Sequence, residues 1–330
     1  MKINSNKYSK IYKKEVTKID DRLYLLLKNR RPKSLYKPCS YILEGKGKRL
    51  RPFLVLAAAK SVGCSFSKVY NAALAVEILH NFTLVHDDIM DNSDMRRGRV
   101  TLHKKYDVNT AILAGDNLNA LAFECLLKDS KKNVNEIVSS FTHGIIEVCE
   151  GQSLDKEFEL RDNVTLNEYK VMIYKKTAAL SEMCCKIGGQ LAGGNKKVIN
   201  ALAAYGKNLG MAFQIQDDLL DIIAVEEEFG KIIGGDLVEG KKTFLFLRAM
   251  QKAKGADKAQ LQKVISEKGI KRNEIENYKY LYIRLGVLED AKKEIERYTK
   301  LALNNISVLP NKEGQQLMKW LANVLINRNK

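Results

Sequence analysis

Hydrophobic positions recur with the period of an α-helix along almost the whole chain. Near the C terminus they follow the i, i+3, i+4, i+7, i+8 spacing of one buried helical face; the residues are Leu317, Trp320, Leu321, Val324 and Leu325. The stretch from Ala72 to His86 is apolar on nearly every side, which is typical of a helix at the centre of a large bundle. No alternating strand pattern or hairpin signal competes, so the periodicity predicts an all-α fold.

Polar and glycine-containing segments divide this pattern into separate helices. We expect helix boundaries at residues 63–65, 92–99, 128–135, 161–165, 193–195, 228–242 and 268–273. Thr165 precedes Glu168 with the spacing of a capping box, which marks a helix N terminus. No short repeat is present. The sequence therefore predicts a single domain spanning residues 1–330, with residues 1–20 as a basic N-terminal arm or first helix.

The distribution of proline supports this prediction. The chain contains 4 prolines, and none lies between Phe53 and Leu309. Helix interiors exclude proline because it removes a backbone donor and clashes with the preceding turn, whereas sheet proteins use it freely in turns. With 330 residues, of which 45% are hydrophobic, the chain is long enough to bury a substantial core.

The chain is strongly basic, with 56 Lys and Arg against 39 Asp and Glu and a formal net charge of +17. Such a balance suits nucleic acid, a membrane surface or anionic small molecules. The lysines are scattered, and no zinc-finger spacing, RNA-recognition signature or basic zipper is present. We therefore expect no nucleic-acid partner and interpret much of the lysine as solvated surface.

Cysteine usage and the absence of targeting signals favour a cytoplasmic protein. The 6 cysteines include no C-x-x-C pair, so reduced, buried thiols are expected. No long apolar segment is free of charge, which argues against stable insertion into a membrane. The N-terminal region lacks an apolar signal core and contains acidic residues, so it is a poor transit peptide.

The most informative feature is an acidic motif, Asp-Asp-x-x-Asp, that occurs twice at the end of an apolar helical run, at residues 87–91 and 217–221. The first and last Asp of each motif fall on one helical face, one turn apart. Crowded carboxylates repel each other, and Mg²⁺ relieves this repulsion; the ion favours one or two carboxylates together with water and substrate phosphates. A solvated acidic helix end explains one cluster more easily than two.

Cationic and polar residues accompany both motifs. Before the first motif lie a block with the sequence Gly-Lys-Gly-Lys-Arg-Leu-Arg-Pro (residues 45–52) and His80, and after it come Arg96 and Arg97. Glycine lets a backbone approach a ligand closely, and arginine donates well to phosphate oxygens. Around the second motif lie Lys175-Lys176-Thr177, Gln214, Phe229-Gly230-Lys231 and a block ending in Gly240-Lys241-Lys242-Thr243. Lysines placed beside glycine favour contacts with anions over a purely solvated surface.

These blocks, in this order, resemble the trans-type polyprenyl diphosphate synthase family, the head-to-tail chain-elongating prenyltransferases. The resemblance covers essentially the whole chain beyond the N-terminal arm. It implies the isoprenoid synthase fold, a bundle of mostly antiparallel helices around a deep central cavity, and a homodimer. It also implies isopentenyl diphosphate and an allylic diphosphate as substrates. Lys46 stands where family members often have the first of two glycines, which affects the expected shape of that loop.

The resemblance assigns roles residue by residue. As metal ligands it implies Asp87, Asp88, Asp91, Asp217, Asp218 and Asp221, holding about three Mg²⁺ ions with bound diphosphate. As contacts of the allylic diphosphate it implies Arg96, Lys176, Thr177, Gln214, Lys231 and Lys241. As contacts of isopentenyl diphosphate it implies Lys48, Arg51, His80 and Arg97. The residues expected to act directly in catalysis are Asp87, Asp88, Asp91, Lys176, Asp217 and Lys231.

The expected reaction follows from charge. Cationic side chains and Mg²⁺ stabilise the departing diphosphate, so that the allylic C–O bond ionises. The double bond of isopentenyl diphosphate then attacks the allylic cation, and loss of a proton restores an alkene. The released diphosphate can serve as the base. A dry apolar cavity protects the cation from water.

Product length is expected to depend on Phe82 and Thr83. In the family, a large residue five positions before the first aspartate stops chain growth, and here that residue is Phe82. Periodicity alone favours core packing for Phe82, but the resemblance suggests a short all-trans product, C20 or else C15. Three alternatives stay open: a longer-chain synthase, a class I terpene cyclase and a non-catalytic subunit of a heteromeric synthase.

Overall fold

The computed structural model describes residues 5–45, 47–223 and 233–326, and these are helical almost throughout. The first part of the chain forms α1 (Ser5–Leu27), α2 (Lys33–Leu43), α3 (Leu50–Val62), α4 (Tyr70–Met90), α5 (Leu102–Lys105), α6 (Val108–Asp129), α7 (Val134–Leu160) and α8 (Leu166–Ile173). The rest forms α9 (Ala179–Leu191), α10 (Lys196–Ile223), α11 (Gly235–Val238), α12 (Phe244–Lys252), α13 (Gly255–Ser266), α14 (Ile275–Arg284), α15 (Val287–Asn305) and α16 (Lys312–Ile326). The predicted all-α fold is confirmed.

Most predicted boundaries are confirmed as well. The predicted capping box opens α8: Thr165 Oγ1 accepts from the backbone N–H of Glu168 over 3.2 Å, and the Glu168 carboxylate accepts from the backbone N–H of Thr165 over 2.8 Å. The break predicted at residues 228–242 lies partly outside the described residues, and its described part contains α11. The start of α1 at Ser5 favours a first helix over an irregular arm. Of the helices described, none has the length and apolar character needed to cross a bilayer.

A small β-hairpin after α4 was not predicted. Strand β1 (Met95–Arg96) pairs antiparallel with β2 (Arg99–Val100). Both turn residues have positive φ, 51° at Arg97 and 73° at Gly98, as a type I′ turn requires. Strands of two residues are too short to show alternation, so the hydrophobic pattern contains no trace of them.

Packing groups the described residues into two compact units. Unit 1 takes its residues from Met1–Thr142, Met183–Ala203 and Val308–Trp320, and unit 2 from His143–Glu182, Ala204–Ser307 and Leu321–Lys330. A single domain spanning residues 1–330 therefore stays a prediction.

The core of unit 1 is built around α4, which packs against α3 and α6. Every residue of α4 from Ala72 to Asn81 is buried, whereas in its last turns this holds for Val85 and Asp88. The predicted central helix is therefore confirmed over most of its length. Its C-terminal turns emerge at the surface of the unit, where the first aspartate motif begins.

The core of unit 2 forms between α12, α8, α13 and α15 and the second half of α10. On α10, Met211, Ile215, Leu219 and Ile222 are buried with helical spacing. Asp217 and Asp221 are half-buried and lie between these positions. Burial of the apolar stripe thus fixes the rotation of the helix that carries the second motif.

Two sequence expectations need correction. In α16, the predicted buried face is confirmed except at Val324, which is 38% exposed. The cysteines form no disulfide, and Cys39, Cys125, Cys184 and Cys185 are buried as expected. Cys149, however, is exposed, because it lies on the outward side of the long helix α7.

Candidate active site

The first aspartate motif closes α4 in unit 1. The backbone N–H of Asp91 donates to the carbonyl of Asp87 over 2.9 Å, so these two residues lie one turn apart, as predicted. Asp88 is buried and accepts a hydrogen bond from Nε of Arg96. Burial raises the pKa of the Asp88 carboxyl, and the Arg96 guanidinium opposes this effect. The middle carboxylate of the motif is therefore committed to a partner within the protein.

The hairpin gives its two adjacent arginines different surroundings. Arg96 pairs with Asp88, whereas the Arg97 guanidinium lies against Gly47 in the loop before α3. A Cβ at Gly47 would come within 2.7 Å of Nη1 of Arg97, so glycine leaves room for this approach. The two arginines, one predicted for each substrate, thus reach different elements of unit 1.

Arg51 and His80, both predicted to contact isopentenyl diphosphate, are in direct contact. Nη1 of Arg51 lies 3.0 Å from Nε2 of His80. Since a guanidinium can donate but not accept, Nε2 is assigned as the acceptor and the ring proton lies on Nδ1. Burial, reinforced by Arg51 and Arg97, holds the pKa of His80 well below 6.5. His80 therefore acts as a neutral acceptor that orients Arg51. Lys48 is exposed and lies in the loop before α3.

The residues predicted to control chain length lie on α4, between His80 and the motif. The Phe82 side chain is half-buried, and its ring centroid lies 4.7 Å from that of His86 in an edge-to-face contact. Gly115 on α6 makes room for the His86 ring, since a Cβ at residue 115 would come within 2.4 Å of its Nε2. Oγ1 of Thr83 donates to the carbonyl of His80 over 2.8 Å, which ties Thr83 to its own helix.

The second aspartate motif closes α10 in unit 2. Its middle residue, Asp218, is buried and accepts three hydrogen bonds. The donors are the Tyr169 hydroxyl, the backbone N–H of Phe244 at 3.1 Å and Nε2 of Gln214 at 3.1 Å. Burial raises the pKa of Asp218 to about 7, Asp236 adds to this, and the three donors oppose it. Like Asp88 in the first motif, Asp218 is held by protein groups.

Lys176 and Thr177 lie on a π-helical turn, Tyr174–Ala178, between α8 and α9. Such turns are frequent at functional sites because they insert a residue and change which side chains share a face. Thr177 Oγ1 donates to Oε1 of Gln214 over 3.0 Å, and Nζ of Lys176 donates to Oδ2 of Asp155 over 2.5 Å. Gly151 on α7 permits the close approach, since a Cβ there would lie 2.1 Å from the backbone nitrogen of Lys176.

These groups surround a cavity of about 150 Å³ in unit 2. Its polar lining includes predicted residues, Lys176, Thr177, Gln214, Asp218 and Lys241, and three that sequence reasoning missed, Asp155, Tyr169 and Asp236. Burial lowers the pKa of Lys241, but Asp236 and Glu239 outweigh it, so the net shift is upward. Asp155 and Tyr169 carry no local signal, because they lie on α7 and α8, far along the chain from α10. Asp236 lies on α11, within the block that follows the second motif, and the sequence analysis assigned it no role.

The donor set fits a metal that shares its coordination with a substrate. Within residues 5–45, 47–223 and 233–326, no three Asp, Glu, His or Cys side chains converge into a preformed metal cage. Mg²⁺ rarely uses such a cage and prefers one or two carboxylates with water and phosphate oxygens. The outer carboxylates of each motif match that preference. Lys231, also predicted here, lies outside the described residues.

Comparison with known proteins identifies the family. The sequence profile of the family described as Polyprenyl synthetase matches residues 32–282. The geranylgeranyl diphosphate synthase of Saccharolobus solfataricus is 41% identical over 304 residues, which cover 90% of this chain and 91% of that protein.

Solved structures agree. The crystal structure of geranylgeranyl pyrophosphate synthetase from Pyrococcus horikoshii is 35% identical, with a TM-score of 0.91, covering 98% of this chain and 99% of that one. A polyprenyl synthase from Caulobacter crescentus, in complex with calcium and isoprenyl diphosphate, is 26% identical with a TM-score of 0.88 and full coverage of both chains, 100% each. The chain therefore belongs to the polyprenyl synthetase family and is a prenyl diphosphate synthase, a transferase that elongates prenyl chains.

Proposed function

We propose that the protein condenses isopentenyl diphosphate with an allylic diphosphate in a Mg²⁺-dependent reaction and releases diphosphate. The observation that carries this proposal is the shared design of the two motifs. In each, the middle Asp is buried against protein donors, Arg96 for Asp88 and Tyr169 for Asp218. A solvated acidic helix end gives no reason for this repeated arrangement.

The outer aspartates, Asp87 and Asp91 in the first motif and Asp217 and Asp221 in the second, are the proposed metal ligands. Asp88 and Asp218, predicted as ligands too, are proposed to hold the motifs in place, because their oxygens already accept hydrogen bonds. Bound Mg²⁺ supplies Lewis-acid stabilisation to the departing diphosphate. The Caulobacter crescentus relative, solved in complex with calcium and isoprenyl diphosphate, supports a divalent cation and a prenyl diphosphate as ligands.

The cations of unit 2 are proposed to bind the allylic diphosphate. Lys176 and Lys241 line the cavity with Thr177 and Gln214, and they neutralise charge as the diphosphate departs. Asp155 holds Lys176 through an ion pair at 2.5 Å, so the lysine is positioned before substrate arrives. Arg96 and Lys231 are also proposed, by resemblance alone, as contacts of the allylic diphosphate.

The basic residues of unit 1 are proposed to bind isopentenyl diphosphate. Arg51 is oriented by neutral His80, while Lys48 and Arg97 add positive charge near the same loop. The second cation group argues against a terpene cyclase, which needs one diphosphate. The intact pair of motifs argues against a non-catalytic subunit.

We propose geranylgeranyl diphosphate, C20, as the product and C15 as the next candidate. The similar proteins from Saccharolobus solfataricus and Pyrococcus horikoshii carry the geranylgeranyl name, and Phe82 provides a bulky side chain before the motif. A longer product is the alternative. Homodimer assembly rests on the resemblance, and a cytoplasmic location rests on cysteine usage and targeting signals; both stay predictions.

A single assay tests this function. The purified protein is incubated with isopentenyl diphosphate and with dimethylallyl, geranyl or farnesyl diphosphate, singly and in pairs, and released diphosphate and product mass are measured. Condensation requires both substrates and stops in chelator until Mg²⁺ is restored. Diphosphate released from the allylic substrate alone indicates a cyclase, and no release in any mixture refutes catalysis by this chain.

A further inference from the structure

The basic block comprises residues 45–52. Among its described residues, Arg49 is the one cation that is completely buried in unit 1. Its side chain is 2% exposed, whereas its neighbour Lys48 is exposed. The resemblance assigned roles to Lys48 and Arg51 and none to Arg49, although residues 48, 49 and 51 are all cations. Their surroundings differ in the structure.

The Arg49 guanidinium uses its donors on protein acceptors. Nε donates to Oδ1 of Asp20 over 2.7 Å and Nη1 to Oε1 of Glu77 over 2.5 Å. Nη2 donates to two backbone carbonyls, of Leu43 over 2.8 Å and of Gly45 over 3.0 Å. Burial alone lowers the pKa of Arg49, but Glu77 and Asp20 outweigh it and raise the pKa. Arg49 is therefore charged, and the carboxylates of Asp20 and Glu77 neutralise its charge. Because its donors already bind protein acceptors, it does not act as a phosphate ligand.

The two carbonyl contacts join Arg49 to the end of α2. The Arg49 side chain reaches back to Leu43 and Gly45, so it fixes the start of α3 against these two residues. Arg49 itself has left-handed backbone angles, φ 46° and ψ 37°. A non-glycine residue holds this unfavourable conformation when its surroundings over-determine it, and the four hydrogen bonds supply that constraint.

The same contacts fix the loop to two helices. Asp20 belongs to α1 and Glu77 to α4, one turn before His80. The hydroxyl of Tyr12, also on α1, donates to the carbonyl of Lys48. Arg51, two residues after Arg49, contacts His80 over 3.0 Å. Contacts with α1 and α4 thus hold the loop next to Lys48 and Arg51, the residues proposed to bind a diphosphate.

We propose that Arg49 is a positioning residue that sets the backbone of this loop and so places Lys48 and Arg51 for the diphosphate of isopentenyl diphosphate. The identity of that anion rests on the proposed function, and the positioning role rests on the geometry of unit 1. Arg49 acts through its neighbours and does not touch substrate.

The test uses Arg49→Lys, which keeps the buried charge and loses the planar fork that reaches two carboxylates and two carbonyls at once. Asp20→Asn weakens one contact, because a neutral amide oxygen replaces the carboxylate as the acceptor of Nε, and the Asp20 side chain is 49% exposed. Arg30→Lys is the matched control, because Arg30 forms an ion pair with Glu124 at 2.6 Å outside the loop. Hydrogen exchange at the amides of Gly45, Gly47 and Lys48 is measured together with kcat and both KM values.

We expect Arg49→Lys to speed exchange at these amides and to raise KM for isopentenyl diphosphate about tenfold, with kcat and the allylic KM within about twofold of wild type. Asp20→Asn should change the same quantities about threefold, and Arg30→Lys should leave them unchanged. Unchanged loop exchange in Arg49→Lys, or an equal rise of both KM values, overturns the proposal. If Arg49→Lys does not fold, Asp20→Asn decides. If wild type fails to condense, the proposed function fails and loop exchange still decides the role of Arg49.

Discussion

The Tyr169 hydroxyl donates a hydrogen bond to Oδ2 of Asp218, so α8 holds the middle carboxylate of the second motif. Burial raises the pKa of Tyr169 well above 10, which keeps its proton in place as a donor. Asp218 in turn accepts from the first residue of α12. One buried carboxylate thereby links three helices of unit 2.

Tyr169→Phe should destabilise the protein by about 1–3 kcal/mol, because it leaves a buried acceptor without one donor. Tyr282→Phe is the control: its hydroxyl is buried and has no hydrogen-bond partner in the described part of the chain, so its loss should be neutral or stabilising. Urea unfolding of both variants measures the difference. Equal free energies of unfolding would show that the bond to Asp218 contributes nothing.

Asp87→Ala should lower kcat by about 100-fold, since it removes a proposed metal ligand that stabilises the leaving group. Asp221→Ala should be milder, because Asp221 lies at the far end of its motif and also accepts from the backbone N–H of Asp236 over 3.2 Å. Asp94→Ala serves as control, with a side chain that is 81% exposed. Steady-state kinetics with saturating Mg²⁺ gives the three values. A near-wild-type rate for Asp87→Ala contradicts the assignment.

His80→Leu should raise KM for isopentenyl diphosphate about tenfold, whereas His80→Gln should stay within about threefold, because glutamine still offers an acceptor to Arg51. The lowered pKa of His80 also predicts how the substitution depends on pH. The imidazole is neutral above its lowered pKa, so the KM ratio of His80→Gln to wild type should be flat between about pH 6 and 8. A ratio that rises steeply toward pH 6 would mean that a protonated His80 binds the substrate.

Phe82→Ala should give products longer than those of wild type when farnesyl and isopentenyl diphosphates are supplied. Phe82 is half-buried, so its truncation should cost less than the ~3–5 kcal/mol typical of a fully buried Phe. Phe123→Ala is the matched control, since Phe123 is also half-buried and makes an edge-to-face contact, with Phe141 at 5.0 Å. Mass spectrometry of extracted products compares the two. Unchanged length in folded Phe82→Ala would place the chain-length stop elsewhere.

Protonation of Glu124 at acid pH should lower the free energy of unfolding. Hydrogen bonds from Arg30, and next from Lys128, lower the pKa of Glu124 to about 2, from 4.5. A carboxyl with a lowered folded-state pKa stabilises the fold above its unfolded pKa and loses that effect as pH falls toward the folded value. Since its side chain is 42% exposed, screening limits the effect to about 0.5–1 kcal/mol.

The comparison of wild type with Glu124→Gln measures this contribution. The difference in free energy of unfolding should be largest near neutral pH and shrink steadily from about pH 5 to pH 3. A difference that does not vary with pH would mean that the charge of Glu124 is irrelevant to stability.

The elements that depend on local pattern were predicted from sequence, and those that depend on distant partners were not. Helical spacing placed Asp87 and Asp91 on one face, and the capping box at Thr165 fixed the start of α8. The partner of Asp218 is Tyr169, on another helix, and no periodicity connects the two. Asp155 was missed for the same reason, whereas Asp236 lies in the block just after the second motif and was given no role there.

Two irregular elements also escaped prediction. The hairpin at Met95–Val100 depends on a turn in which Arg97 adopts positive φ. Arginine rarely adopts this conformation, so its presence in the sequence does not predict the turn. The π-helical turn that carries Lys176 arises where Gly151 allows α7 to approach its backbone. Both elements follow from tertiary packing that overrides the local preference of the chain.

The Arg97-Gly98 turn places two demands on one side chain. Position 97 must supply a positive charge and must also tolerate left-handed backbone angles, with φ at 51°. Asparagine or glycine would adopt the left-handed backbone angles more easily but would remove the charge. Lysine would keep the charge but would adopt these angles no more easily than arginine. Homologues should therefore carry fewer residue types at position 97 than at position 98, where the backbone angles alone decide which residues fit. A comparison of homologues that considers charge alone would underestimate this restriction at position 97.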